Sequence, residues 1–296
     1  MTSVRPTQVG IMKAKPVTPK LITQLGPYCF AQPKLRGQRA HVSYPTEGEP
    51  VLVSSYGIPF SFLGHIIEDL RTLPPLRYDG ELYVHSPEFT QERLNGILNR
   101  TANAHPDSSA IQFHIFDVIS PEPQWARLME LDQALASVLS TSSIKKVPYE
   151  AISTSLWQSQ AQDYLAQGYE GIILRKDAGS YSPLNPLTQA KRPSCLLKFK
   201  PTERDEYLIV NYKEGTGQYA NALGALRVSS PDGSGVFWVG TGPVFTKAQR
   251  FALWPQRNNL IGQTLIVKHE PIRTVNNLPI CTTAIKIVDR SPNTST

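Results

Sequence analysis

Downstream of Asp205 the chain reads YLIVNY (207–212), GALRVSS (224–230), GVFWVG (235–240), TLIVKHE (264–270) and AIKIVD (284–289). Each run is rich in β-branched and aromatic side chains, and Gly, Pro, Asn or Ser clusters separate them. Residues 246–260 break the pattern and predict a helical insert. Five short strands with one inserted helix, in about 90 residues, predict a small antiparallel Greek-key barrel.

Upstream of Pro201 the texture differs. Strands are predicted at 28–33, 39–44, 51–54, 80–84, 111–117, 171–175 and 195–200. Pro is frequent beside these runs, as in Pro50-Val51-Leu52-Val53, which favours antiparallel sheets over a helical bundle. Helices are predicted at 61–72, where Phe62, Ile66, Ile67 and Leu70 share a face, and at 124–140 and 155–167. The expected fold class is therefore α+β. A larger domain of antiparallel sheets with flanking helices spans 1–202, and a barrel of the OB type spans 203–296, with a hinge near 200–206. The closing SPNTST is expected to fray. An SH3-like barrel without a nucleic-acid role fits the strand pattern as well.

With 40% hydrophobic and 18% charged residues over 296 positions, the chain can bury two cores, and wholesale disorder is excluded. No apolar run approaches the roughly 20 residues of a membrane helix, and MTSVRPTQVG has no apolar signal core. Cys29, Cys195 and Cys281 are too few and too scattered for a disulfide framework or a CxxC metal site, so a cytoplasmic protein is expected. Lys and Arg exceed Asp and Glu by 20 to 17 up to residue 202 and by 10 to 7 beyond it. A basic excess on both parts suits a polyanionic partner, although many enzymes are merely basic.

Five short motifs carry chemistry. Pro33-Lys34-Leu35-Arg36-Gly37-Gln38-Arg39 follows an apolar run and puts an amine at a strand end, where neighbouring cations and burial can prepare it as a nucleophile. Asp79-Gly80-Glu81-Leu82-Tyr83 turns into a strand with Glu81 opposite in face to Leu82. Ile115-Phe116-Asp117-Val118 ends a β run, and Glu170-Gly171-Ile172-Ile173-Leu174-Arg175 sets an acid before a strand and a guanidinium at its end. In Leu196-Leu197-Lys198-Phe199-Lys200 the alternation puts two lysines on one face, an arrangement that repels unless an anion lies beside it. Each motif alone also has an ordinary reading: Glu81 as a surface acid, Phe116 as a core ring, the lysine pair as a solvated edge.

Their order is more specific. Lys, then DGE, then FD, then EG-x-x-x-R, then K-x-K, then an OB-like barrel resembles the covalent nucleotidyltransferases: ATP-dependent DNA ligases, RNA ligases and mRNA capping enzymes. The chain resembles in particular the minimal ATP-dependent DNA ligases of phages and large DNA viruses. GTGP, IGQTLIVKHE and LPICTTAIKIVDR extend that likeness into the barrel. The resemblance implies that Lys34 attacks the α-phosphorus of ATP and carries AMP. It gives Phe116 the adenine, Glu81 the ribose hydroxyls, and Gln32, Arg39 and Arg175 further places in the nucleotide pocket. Lys198 and Lys200 take the α-phosphate, and Glu170 with Glu81 a divalent cation, Mg²⁺ or Mn²⁺. The implied partner is nicked duplex DNA, met by a monomer with no membrane role, in DNA replication, repair or recombination. The chain departs from the family pattern at three places, the first two on the DNA side. Arg36 stands where Lys-x-Asp-Gly has its aspartate, Ser55 where Ser-Arg has an arginine that grips the nick phosphate, and Lys286, counted among the DNA-binding candidates, where the last motif usually has an arginine that helps pyrophosphate leave. Those changes leave two alternatives: a degenerate ligase-like protein that binds nicked or duplex DNA without efficient sealing, and an RNA ligase of the same superfamily.

Overall fold

A computed structural model gives the fold. It describes residues 10–46, 48–139, 141–183, 192–230, 233, 235–271 and 278–288. The closing SPNTST lies outside them. The chain divides into two compact units, Met1–Lys200 and Pro201–Thr296.

The first unit holds two five-stranded sheets. One runs Lys15–Pro16, Leu196–Phe199, Gly171–Lys176, Tyr28–Lys34, Glu150–Ser153, antiparallel except for its first pair. The other runs Glu49–Ser54, Gln38–Thr46, Tyr78–Tyr83, Gln112–Val118, Ile144–Lys146, antiparallel except for its last pair. Strand alternation sorts each sheet into a core face and a polar face. In the first sheet Cys29, Ala31, Ile172, Leu174 and Leu197 pack with Ala161 and Tyr164 of the helix Trp157–Ala166. Gln32, Lys34, Ile173, Arg175, Leu196 and Lys198, their neighbours in sequence, line a cavity instead. In the second sheet Ala40, Leu82, Phe113 and Ile115 join the largest core, while Arg39, Glu81 and Phe116 line that same cavity.

Two helices escape the sequence reading, Pro19–Leu25 and Gln91–Leu98. Both begin at a threonine whose side chain accepts from a backbone N–H: Thr18 from Leu21 and Thr90 from Arg93, each at 3.3 Å. The expected helix 124–140 ends at Ala134, and that at 61–72 starts at Gly64.

In the second unit the strands run Val236–Val239, Leu223–Ser229, Glu203–Glu214, Thr264–His269, Thr283–Val288, all antiparallel. The strand order is that of the expected OB fold. Its two edges meet where Ala284 N donates to Thr241 O at 2.8 Å and Thr241 Oγ1 donates to Thr282 O at 2.9 Å, two bonds in place of a ladder. Gly242 allows this approach: its φ is +114°, and a Cβ there would run into the Ala284 carbonyl oxygen. The helix Lys247–Leu253 is fastened by Arg250, which donates to the carbonyls of Leu223 and Gly224 at 2.7 Å and of Gly240 at 2.6 Å. The first strand of this unit starts at Glu203, within the stretch 200–206 expected as a hinge. No helix among the described residues is long and apolar enough to cross a membrane.

Candidate active site

Lys34 closes the strand Tyr28–Lys34, and Glu170 stands one residue before Gly171–Lys176. The sheet register pairs Lys34 with Gly171, and Glu170 N donates to Lys34 O at 2.9 Å. The carboxylate is thereby set beside the amine, and Lys34 Nζ ion-pairs with Glu170. Lys200 Nζ lies 3.2 Å from the other oxygen of that carboxylate, and Arg36 Nη2 4.0 Å from it. Glu170 thus gathers three cations. Lys198 projects into the cavity, where burial first, and then Lys34, Arg192 and Lys200, push its ammonium below the usual lysine range.

Across the cavity, Arg39 and Glu81 are register partners. Asp79 is fully buried and holds Arg39 with two parallel bonds of 2.6 Å, while also accepting from Tyr181 Oη at 2.6 Å. Burial alone lowers the Arg39 pKa, but Asp79 outweighs it and the net shift is upward. Glu81 accepts from Gly37 N at 3.2 Å. A Cβ on Gly37 would strike the Leu82 carbonyl oxygen and lie 2.7 Å from Glu81 Cγ, so the turn after Lys34 reaches this strand only as glycine. The Phe116 ring has the Arg39 guanidinium 4.5 Å from its centroid and that of Arg175 at 5.3 Å.

Burial lifts the Glu81 carboxyl to about 7, with Arg39 and Lys34 pulling the other way. The folded chain therefore binds this proton more tightly than the unfolded chain does. The stabilisation is complete below the ordinary glutamate range and is lost as pH rises through about 7. At about 1.4 kcal/mol per pKa unit the loss amounts to no more than about 3.5 kcal/mol. Glu81→Gln should flatten this part of the ligand-free stability profile in melts across that window. An unchanged slope in the variant would assign the dependence to another group.

Beneath the cavity lies a network that the motifs did not announce. Asp117 and Arg127 are both fully buried. Arg127 donates to Asp117 Oδ1 at 2.8 Å and to Oδ2 at 3.2 Å, and to the carbonyls of Glu122 and Gly179. Arg175, 3% exposed, donates to Asp117 Oδ2 at 2.6 Å and to Gln32 Oε1 at 2.6 Å. Gln32 Nε2 then donates to Phe116 O at 3.1 Å. Arg175 and Gln32 are thus in the cavity wall with most of their polar atoms committed, and they tie the Phe116 strand to the other sheet.

Ser55 lines the cavity, just after the strand Glu49–Ser54, whereas Arg36 borders Glu170. Lys286 is exposed on Thr283–Val288, in the second unit. Lys13 and Arg192, which no motif had singled out, also line the cavity.

No family model matches the chain. In sequence it is 25% identical over 273 residues to a DNA ligase of African swine fever virus (isolate Warthog/Namibia/Wart80/1980), covering 86% of this chain and 62% of that one. It is 29% identical over 177 residues to a DNA ligase of Haemophilus influenzae, covering 58% of this chain and 60% of that one. The chain thus spans about three-fifths of the length of these curated relatives. Among solved structures, a Lig E DNA ligase superposes with a TM-score of 0.74 at 20% identity, over 94% of this chain and 99% of that one. The chlorella virus DNA ligase-adenylate superposes with 0.51 at 20% identity, over 96% and 100%, and the ATP-dependent DNA ligase of bacteriophage T7 with 0.52 at 12%, over 94% and 98%. The fold is therefore that of a nucleotidyltransferase domain followed by an OB fold. Within that class the chain is similar to DNA ligases in sequence and shares their fold, as the ordered motifs implied.

Proposed function

We propose that the chain is an ATP-dependent DNA ligase that seals nicks in duplex DNA through AMP carried on Lys34. The observation that carries this reading is the Lys34–Glu170 pair at the edge of a cavity lined by Lys198, Arg39, Glu81 and Phe116. Phe116 offers a flat apolar face for adenine, and Glu81 offers acceptor oxygens for ribose hydroxyls. Lys34 must lose a proton before it attacks, and Glu170, bonded to its Nζ, is the acceptor within reach. The Nζ–phosphorus bond then forms as pyrophosphate departs, and Lys198 and Lys200 spread the charge on the α-phosphate. AMP passes next to the 5′-phosphate at a nick, and the 3′-hydroxyl displaces it.

Glu170 and Glu81 are hard oxygen donors that fit a divalent cation, Mg²⁺ or Mn²⁺. No cluster of three His, Cys, Asp or Glu stands among the described residues. That donor set suits an ion shared between one or two carboxylates and substrate phosphates. When bound, the ion neutralises phosphate charge.

Arg36, Ser55 and Lys286 belong to the DNA side in this reading. Arg36→Ala is expected to lose more in sealing by isolated enzyme–AMP than in formation of enzyme–AMP, by about tenfold, the worth of one charge-assisted phosphate contact. Equal losses in both steps would confine Arg36 to the Glu170 cluster. The whole reading is tested by incubation with labelled ATP and Mg²⁺, followed by nicked duplex. Label on the protein that passes to DNA and seals it is expected. Label that never leaves the protein would overturn the ligase assignment, and absence of label with ATP but not with GTP would replace it with a guanylyltransferase.

A further inference from the structure

The cavity is lined by six cations, Lys13, Lys34, Arg39, Arg175, Arg192 and Lys198, and by a single carboxylate, Glu81. Three of the cations have carboxylate partners: Lys34 with Glu170, Arg39 with Asp79 and Arg175 with Asp117. Lys13, Arg192 and Lys198 form no ion pair among the described residues. Like charges gathered without counter-charge repel one another, and an anion bound among them relieves that cost. The lowered pKa of Lys198, due to burial and then to Lys34 and Arg192, reflects the same crowding.

Lys13 and Arg192 share a rigid mount. Met12, 2% exposed, donates from its N–H to Tyr181 Oη at 3.1 Å and accepts at its carbonyl from Arg39 Nη2 at 3.3 Å. On the other side of Lys13, Lys15–Pro16 pairs with Leu197–Lys198 in a parallel ladder. Lys13 is therefore held between two anchored points, beside the strand that carries Lys198, with its Nζ 5.5 Å from the Tyr56 ring centroid. Arg192 Nη1 donates to Ala14 O at 3.2 Å, which ties its guanidinium to the same segment.

We propose that Lys13 and Arg192 form a subsite for the β- and γ-phosphates of ATP and hold the pyrophosphate as it leaves. The proposal rests on the adenylation reading given above. Lys34 attacks the α-phosphate and Lys198 and Lys200 hold it, and most of the nucleotide's negative charge lies beyond it. As the Lys34 Nζ–phosphorus bond forms, the bond from the α-phosphorus to its bridging oxygen breaks, and the electron pair leaves on pyrophosphate. Arg192 can meet that anion with two parallel N–H bonds, and Lys13 adds a point charge. The first unit would then supply the leaving-group contacts that the family pattern draws from its last barrel motif, where this chain has Lys286.

The test is calorimetric binding of inorganic tripolyphosphate and of AMP to the intact chain and to Lys13→Ala, Arg192→Ala and the double variant. Tripolyphosphate affinity should fall about tenfold in the double variant, and AMP affinity far less. The ATP concentration for half-maximal covalent labelling should rise by the same factor, with the maximal rate changing less. Lys20→Ala, an exposed charge outside the cavity, controls for net charge. Tripolyphosphate binding as tight in the double variant as in the parent overturns the subsite. So does an equal loss for AMP, and so does an equal loss when isolated enzyme–AMP is given nicked DNA without ATP, which would assign the pair to DNA. Tripolyphosphate bound through these residues by a parent chain that takes no label would sink the adenylation reading and leave the anion subsite standing.

Discussion

A Lys34→Ala chain is expected to take no covalent AMP, a loss of roughly a thousandfold or more, as when a nucleophile is deleted and its surroundings are left in place. Two other lysines, Lys198 and Lys200, stand close by, so the prediction is not trivial. Lys200 is directed to Glu170 at 3.2 Å. Lys198 reaches the cavity from Leu196–Phe199, two strands away from Lys34 across Gly171–Lys176. An in-line attack needs one amine opposite the leaving pyrophosphate, and amines carried two strands apart, Lys34 on one and Lys198 on the other with Lys200 just past its end, do not share one line of approach. Removing Lys34 still leaves Glu170 with Lys200 and Arg36, so no buried carboxylate is stranded and the fold should persist. Lys34→Arg is the companion variant: it restores the charge beside Glu170 but supplies a guanidinium that stays protonated and does not attack. The measurement is label retained on denatured protein, with a thermal melt as the fold control. Label at parental strength in either variant would move the nucleophile to another lysine.

The strands that build this site were legible because each is half-buried, and alternation shows in a half-buried strand. Leu197 against Lys198 is one case. Leu82 against Glu81 is another. The motif residues were legible for the same reason, since a polar side chain on a predicted core-forming strand marks a face turned to something other than core. Lys13 escaped because it precedes a two-residue strand, too short to show a period. Arg192 escaped because it lies outside any regular element. The helices Pro19–Leu25 and Gln91–Leu98 span about two turns each and left only their threonine caps as signals. Arg127 was hidden by a different effect. On an amphipathic helix an arginine reads as solvent-facing, and nothing local reveals that Asp117 awaits it on a buried strand, or that Arg175 comes to the same carboxylate from the other sheet.

That hidden network should give the largest stability effect in the molecule. Asp117 accepts at Oδ1 from Val118 N, Gln124 Nε2 and Arg127 Nε, and at Oδ2 from Arg127 and Arg175. Asp117→Asn keeps the size but replaces one oxygen by an amide NH₂, which must face a guanidinium donor, and it leaves two buried cations with no counter-charge. Breaking a buried ion pair by removing one partner costs about 3–5 kcal/mol. For a unit of this size that corresponds to a melting point lower by roughly 6–20 °C. Arg127→Met should cost less, because Asp117 retains Arg175 and no buried charge is left without a partner. The double variant, Asp117→Asn with Arg127→Met, should be less destabilised than the sum of the singles, since one of the stranded cations is gone. The loss should also reach the cavity: Arg175 orients Gln32, and Gln32 holds the Phe116 carbonyl, so the ATP concentration for half-maximal labelling should rise in Asp117→Asn even well below its melting point. Melting curves for the three variants, with labelling measured at low temperature, separate the two effects. An Asp117→Asn chain that melts within about 2 °C of the parent, less than 1 kcal/mol for a unit of this size, would show that Gln124 and the carbonyls of Glu122 and Gly179 suffice for the two guanidiniums. Strict additivity in the double variant would show that Arg127 and Asp117 are not coupled.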